Sequence, residues 1–197
     1  MNIGVQSHIT ITISSNLWMW WAEIAIEQER IALDARALSS AATPTGSKFG
    51  DALHRETRAS LQATCAAAFA IDCLFGDVDA IVSVSRVKGR ARWKTILEAF
   101  RLAARVQNSL TAEFKWLWTE LRNVGVHHKA VGRPSVPHPT GTNTATEVVL
   151  YSSENATRAV DLMLDIFETL WTKPRPALAA WVGSRQHVLQ QLRDLRK

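Results

Sequence analysis

The run Cys65-Ala66-Ala67-Ala68-Phe69-Ala70-Ile71 constrains this chain most. It lies inside a longer stretch, Asp51 to Phe75, whose spacing predicts a helix that Gly76 stops. A helix that is apolar all round for two turns must have neighbours on every side. The run is far too short to span a bilayer, so those neighbours are other helices of the same chain. This predicts a helical bundle with the Cys65–Ile71 section deep inside it.

The flanking sequence supplies the partners. Leu17, Trp21, Ile24, Ile31, Ala35 and Leu38 recur at three- and four-residue spacing and predict a helix from Asn16 to about Ser40. Pro44, Gly46 and Gly50 then mark a loop. Further helices are predicted over Trp93–Asn108, over Ser109–Val124 with Leu110, Phe114, Leu117, Leu121 and Val124 on one stripe, and from Ser152 or Ser153 to about Trp171. Lys173-Pro174-Arg175-Pro176 breaks the last of these, and a basic helix over Ala177–Leu195 closes the chain. Ala80-Ile81-Val82-Ser83-Val84 fits helix or strand equally well. Residues 132–144, rich in Pro, Gly and Thr, predict an exposed loop.

Two segments carry a β signal. Residues 3–14 alternate, with Ile3, Val5, Ile9, Ile11 and Ile13 on one side. Glu147-Val148-Val149-Leu150-Tyr151 is the other, and the two can pair. The expected class is therefore mainly α, an antiparallel helical bundle with a small β element from the N-terminal strand and residues 147–151. With 197 residues and no long linker, one domain is expected over 1–197. It divides into an N-terminal strand and helix (1–48), a core (49–172) and a basic C-terminal helix (177–197).

Composition bounds the partners. Hydrophobic residues make up 47% and charged residues 21%, as in an ordinary globular chain, but eight Trp is high. A formal net charge of +5 suits a polyanionic partner without dictating the fold. Cys65 and Cys73 stand on one predicted helix about 12 Å apart along its axis, too far to pair. Reduced thiols, a cytoplasmic location and no membrane partner are the expectation, since no basic segment followed by an apolar run opens the chain.

The stretch Arg122-Asn123-Val124-Gly125-Val126-His127 carries the chemistry, and His128 follows it directly. Arg122 flanks the apolar stripe, with Lys115, Trp118 and Thr119 as neighbours at helical spacing. In an unbroken helix Arg122 and His127 would point about 140° apart. If the helix ends near Gly125, the imidazole can swing back towards the guanidinium. A fixed cation, an amide and an imidazole at a helix end can hold a phosphodiester and move a proton beside it. The plain reading of the same residues is an Arg and a His satisfying the last carbonyls of the helix.

This stretch resembles the HEPN family, whose mark is an Arg, a polar residue that is often Asn, and a His a few residues on near the end of a bundle helix. The matching positions are Arg122, Asn123 and His127. The proline-bearing loop, the Val148-Val149-Leu150-Tyr151 element, the Ser-Glu-Asn-Ala start of the next helix and the segment Ala66–Phe75 are similar too. The resemblance covers roughly residues 50–172 and leaves the first 48 residues and the tail after Pro176 unmatched. It implies a metal-independent endoribonuclease without a cofactor, acting as a homodimer on RNA, as in toxin–antitoxin and antiviral-defence proteins, and restrained by an antitoxin or another regulatory partner. Arg122 and Asn123 would bind and orient, and His127, or His128 in its place, would act as base. HEPN-like proteins often place an acid on the facing helix, which makes Asp72 the expected partner of Arg122; otherwise Asp72 lies on an exposed strip or caps a neighbour.

Basic residues that could track an RNA backbone are Lys115, Arg90, Arg92 and Lys94, with Arg86, Lys88 and the tail residues Lys173, Arg175, Arg185, Arg193, Arg196 and Lys197 beyond them. A solvated face explains each of these stretches equally well. Trp116 and Trp118 either stack on bases or pack in the core. His127, His128 and His138 form a three-His group, but no carboxylate or Cys stands at ligand spacing, so no metal is expected. Two other readings use the same residues: a non-catalytic HEPN module that binds RNA or a nucleotide and dimerises, and a helical protein-interaction domain.

Overall fold

The computed structural model describes residues 16–44, 46–126 and 135–197. The predicted strand over 3–14 lies outside them. Helices dominate: α1 (Leu17–Ala41), α2 (Ser47–Val82), α3 (Arg92–Ala103), α4 (Leu110–Trp116), α5 (Asn123–Val126), α6 (Thr146–Leu150), α7 (Ser153–Thr172), α8 (Pro176–Gly183) and α9 (Gln186–Leu195). Between α4 and α5 the rod widens into a π turn, Leu117–Arg122. Two short strands, β1 (Ser135–Pro137) and β2 (Asn143–Ala145), pair antiparallel with Val136 opposite Thr144. The protein is a mainly α bundle with a small β element.

α2 is the axis of the bundle. Its 36 residues rise about 54 Å, and α1, α3, α7 and the π turn all pack against it. Small side chains allow close approach: Ala32 of α1, Ala59 and Ala63 of α2 and Ala156 of α7 form one buried cluster. At the other end Trp18 fills the core, its ring 5.5 Å from Phe167 and 5.6 Å from Trp171. Its Nε1–H donates to Asp77 at 3.1 Å, so the one polar atom of the indole is satisfied. The Cys65–Ile71 section is central as expected, but not enclosed. Ala66, Ala67, Ala68, Ala70 and Ile71 are buried, whereas Cys65 and Phe69 stay half-buried on an open strip.

Gly76 does not stop α2. The helix runs six residues further, to Val82. A mid-helix Gly costs about 1 kcal/mol, and two anchors beyond it outweigh that cost: Asp77 accepts the Trp18 indole, and Val78 is fully buried. The turn comes at Ser83, in the left-handed region at φ 53°, where the Asp79 carboxylate accepts from Val84 N–H. α3 ends at Ala103 rather than Asn108. Ala104 is extended and bridges Pro174, with Arg105 N–H donating to Lys173 and Arg175 N–H to Ala103. Two interhelical connections are thereby tied together.

Residues 147–151 are not a strand. Thr146–Leu150 form α6, so the β-branched pair Val148-Val149 yields to its tertiary setting. The β element comes from the expected loop instead, where Gly141 adopts φ 83° in the turn of the β1–β2 hairpin. The C-terminal helix is two helices, broken at Ser184-Arg185. No helix among the described residues is long and apolar enough to cross a membrane.

Candidate functional site

The widened turn sets the position of Arg122. In a π turn each N–H reaches the carbonyl five residues back, as Asn123 N–H does to Trp118. Such turns occur mostly as single insertions in α-helices, often at functional sites. Here the Tyr151 hydroxyl donates to the Leu121 carbonyl at 3.0 Å, a buried bond that pins the turn to the residue after α6. Beyond the turn the rod lies hard against α2. A Cβ on Gly125 would come within 2.7 Å of Leu61 Cδ1, 3.0 Å of Tyr151 Oη and 3.3 Å of Cys65 Sγ. A side chain there would force Leu61 to shift, so glycine is what allows α5 to approach so closely with Leu61 in place.

Arg122 is half-buried at this point, and its Nη1–H donates to the Asn123 side-chain oxygen at 3.1 Å. Its guanidinium lies over the Phe69 ring, 5.5 Å from the centroid. Among the described residues no carboxylate pairs with it. Burial pushes the Cys65 thiol above its ordinary pKa, and the nearby Arg122 charge opposes that rise without cancelling it.

Asp72 is not the partner of Arg122. Its Oδ1 accepts from Arg92 Nε and Nη2 at 3.0 and 2.6 Å, and the Arg92 guanidinium stacks on Phe75 at 4.5 Å. The reason is geometric: Arg92 opens α3 directly alongside Phe75, so its fork reaches the carboxylate of the same α2 turn.

Several other expected RNA contacts are engaged within the protein. Arg90 pairs with Glu98, and Lys94 Nζ lies 5.5 Å from the Trp93 ring. Arg86 pairs with Asp79, Arg193 with Glu168, Arg196 with Glu29 and Asp161, and Lys197 with Asp194. Lys115 is exposed on α4. Trp118 is buried and stacks on Phe114 at 5.5 Å, and Arg158 covers Trp116 at 3.9 Å, so both rings serve packing. His127 and His128 lie outside the described residues.

Sequence reasoning missed a buried polar network at the other end of α2. Glu56 is fully buried, and it accepts from Arg36 Nε at 2.9 and 3.0 Å, from Arg36 Nη2 at 2.6 Å and from Ser153 N–H, at the start of α7, at 2.8 Å. Arg36 also reaches Glu154 at 2.8 Å and His138 Nε2 at 3.4 Å. His138, in the hairpin turn, is 3% exposed. Both ring nitrogens face donors: the Arg36 guanidinium lies at Nε2, and Thr140 N–H donates to Nδ1 at 3.3 Å, with Thr140 Oγ1 2.8 Å from the same nitrogen. Burial, with help from Arg36, pushes the His138 pKa down; Glu56 and Glu154 oppose this. The signal for the network was a charged residue, Glu56, at the inward position between Ala52 and Ala59.

Among the described residues no group of three or more His, Cys, Asp or Glu is placed to hold a metal ion. No family model, curated protein or solved structure matches the chain.

Proposed function

We propose that this protein is a HEPN-like endoribonuclease, working in the cytoplasm as a homodimer whose two Arg122 sites meet across the two-fold axis. The observation that carries the reading is the state of Arg122. Most arginines of the basic stretches are spent on carboxylates of the same chain, while Arg122 keeps its charge on a half-exposed turn, aligned by Asn123 and Phe69. That is the state of a cation reserved for an external anion.

In the proposed reaction Arg122 binds two non-bridging phosphate oxygens. The His127 imidazole, or His128 in its place, takes the proton of the 2′-hydroxyl, and the 2′-oxygen attacks the adjacent phosphorus. The bond from phosphorus to the 5′-oxygen breaks, and that oxygen gains a proton from an acid in the site. The products are a 2′,3′-cyclic phosphate and a 5′-hydroxyl, with no metal or cofactor required. An antitoxin or other regulatory partner would restrain the activity.

The test is cleavage of a labelled RNA in the presence of EDTA. Arg122→Ala and His127→Ala should each lose about 100-fold or more of the rate, the scale of removing a group that stabilises transition-state charge. Cleavage by both variants at the parental rate would overturn the proposal.

A further inference from the structure

The open strip of α2 leads away from Arg122 along a seam with α1. Three elements converge where the strip begins: Trp21 from α1, Phe69 from α2 and Arg122 from the π turn. The Trp21 and Phe69 rings lie 5.1 Å apart at 52°, and the guanidinium of Arg122 sits over Phe69. Beside them is a shallow cleft of about 330 Å³ lined by Trp21, Phe69, Asp72, Cys73 and Arg92. Both Arg92 bonds to Asp72 end on Oδ1, and among the described residues nothing donates to Oδ2. The cleft therefore offers two half-buried aromatic walls and one open carboxylate acceptor.

Further along the seam a second hollow, of about 410 Å³, is lined by Gln28, Arg55, Arg58 and Gln62 among others. Arg55 and Arg58 are exposed, and among the described residues neither pairs with an acid. From Phe69 to Arg58 is about 16 Å along the helix, a span of a few nucleotides. Cations spaced along a groove with aromatic rings at one end make the arrangement that holds a single strand of nucleic acid.

We propose that this seam is the single-stranded RNA track of the site, and that the Trp21–Phe69 cleft holds the base of the nucleotide whose phosphate Arg122 grips. The proposal rests on the reading of Arg122 as a phosphate-binding group. Asp72 Oδ2 accepts a hydrogen bond from an exocyclic amine. Adenine, cytosine and guanine carry such an amine, whereas uracil offers only its ring N3–H, flanked by two carbonyl oxygens that repel the carboxylate. The site accordingly selects against uracil at that position.

Binding is measured by fluorescence anisotropy with fluorescein-labelled 12-mers of oligo(A), oligo(C) and oligo(U), using full-length His127→Ala protein so that cleavage does not intervene. Oligo(A) and oligo(C) should bind about fivefold or more tighter than oligo(U), the scale of one hydrogen-bonded base contact. Phe69→Leu should weaken oligo(A) binding about tenfold, as loss of one stacked base does, with the helical circular dichroism unchanged. Asp72→Asn should narrow or reverse the preference over oligo(U), because an amide can donate to a carbonyl; a purely structural Asp72 would not move that ratio. Equal binding of the three oligomers, or an Asp72→Asn protein with the parental preference, would overturn the proposal. So would a Trp21→Ala variant that changes its sedimentation and not its RNA affinity, since the face would then join copies of the chain. A protein that binds by these rules but cuts no RNA keeps the track and loses the nuclease reading. One that cuts RNA while ignoring Phe69 and Asp72 keeps the nuclease and loses the track.

Discussion

Replacing Glu56 with Gln tests whether the buried ion pair holds α1, α2 and α7 together. The native carboxylate is fully buried and takes three bonds from Arg36 and one from Ser153 N–H. The amide keeps one acceptor oxygen; in the Oε1 position it preserves the Ser153 bond and two Arg36 bonds, and the bond from Arg36 Nε to Oε2 is lost. Its NH₂ then faces the Arg36 fork, donor against donor, and the guanidinium loses its buried counter-charge. Breaking a buried pair from one side costs about 3–5 kcal/mol. Arg36 retains 13% side-chain exposure and a second acid, Glu154, which places the expected loss near the lower end, about 3 kcal/mol. In a protein of this size that lowers Tm by about 6–12 °C. The assay is thermal unfolding by circular dichroism at pH 7.5, run with Arg36→Met and the double variant Arg36→Met/Glu56→Gln. The double should cost about 2 kcal/mol less than the sum of the singles, because it no longer strands a cation. A Glu56→Gln protein melting within about 2 °C of the parent, or strict additivity in the cycle, would refute the argument.

Two further outcomes follow from the same geometry. Gly125→Ala should destabilise by about 1 kcal/mol in urea unfolding, because overpacking against Leu61 exceeds the helix-propensity gain of alanine; Leu61→Ala in the same protein should recover part of the loss, and a Gly125→Ala protein more stable than the parent would show that α5 has room to spare. The buried His138 should make stability fall on acidification: its folded pKa lies below the unfolded one, so its contribution is full above about pH 6.5 and drains away as pH drops towards the folded value. His138→Gln should remove that part of the decline between pH 7.5 and 5, which a Tm-against-pH comparison reads directly, and parallel curves for the two proteins would count against the buried, neutral ring.

The bundle was legible wherever one pattern was reinforced by a second. α1 and α7 start and end within about a residue of their predicted limits, because the apolar stripe and the proline-bearing stretch that follows each helix agree, although Ser152 makes no side-chain cap bond and Glu56 satisfies Ser153 N–H instead. The failures are places where tertiary contacts override a local preference. Gly76 was a sensible stop until Trp18 and Val78 anchored the helix past it. Val148-Val149 read as strand, yet α6 forms and its neighbour Tyr151 is buried. His138 sits in a polar, proline-bearing stretch whose composition says loop, and only the distant pair Arg36 and Glu56 explains its burial. At the candidate site the cation and the amide stand side by side, as their sequence positions imply, whereas the expected acid, Asp72, pairs with Arg92. The eight-tryptophan count did not distinguish Trp21, at the open seam, from Trp118, in the core.

The π turn has a further bearing on how the rod tolerates change. It holds one more residue than a regular turn would, so removing a single residue between Leu117 and Arg122 converts it to plain α-helix without breaking the chain's path. Because the wide turn absorbs its extra residue locally, the helix after the cut should keep its orientation to the helix before it. The rod could thus lose a residue here while Gly125 stays against α2 and Arg122 stays beside Phe69, a tolerance that a regular helix of the same length would lack.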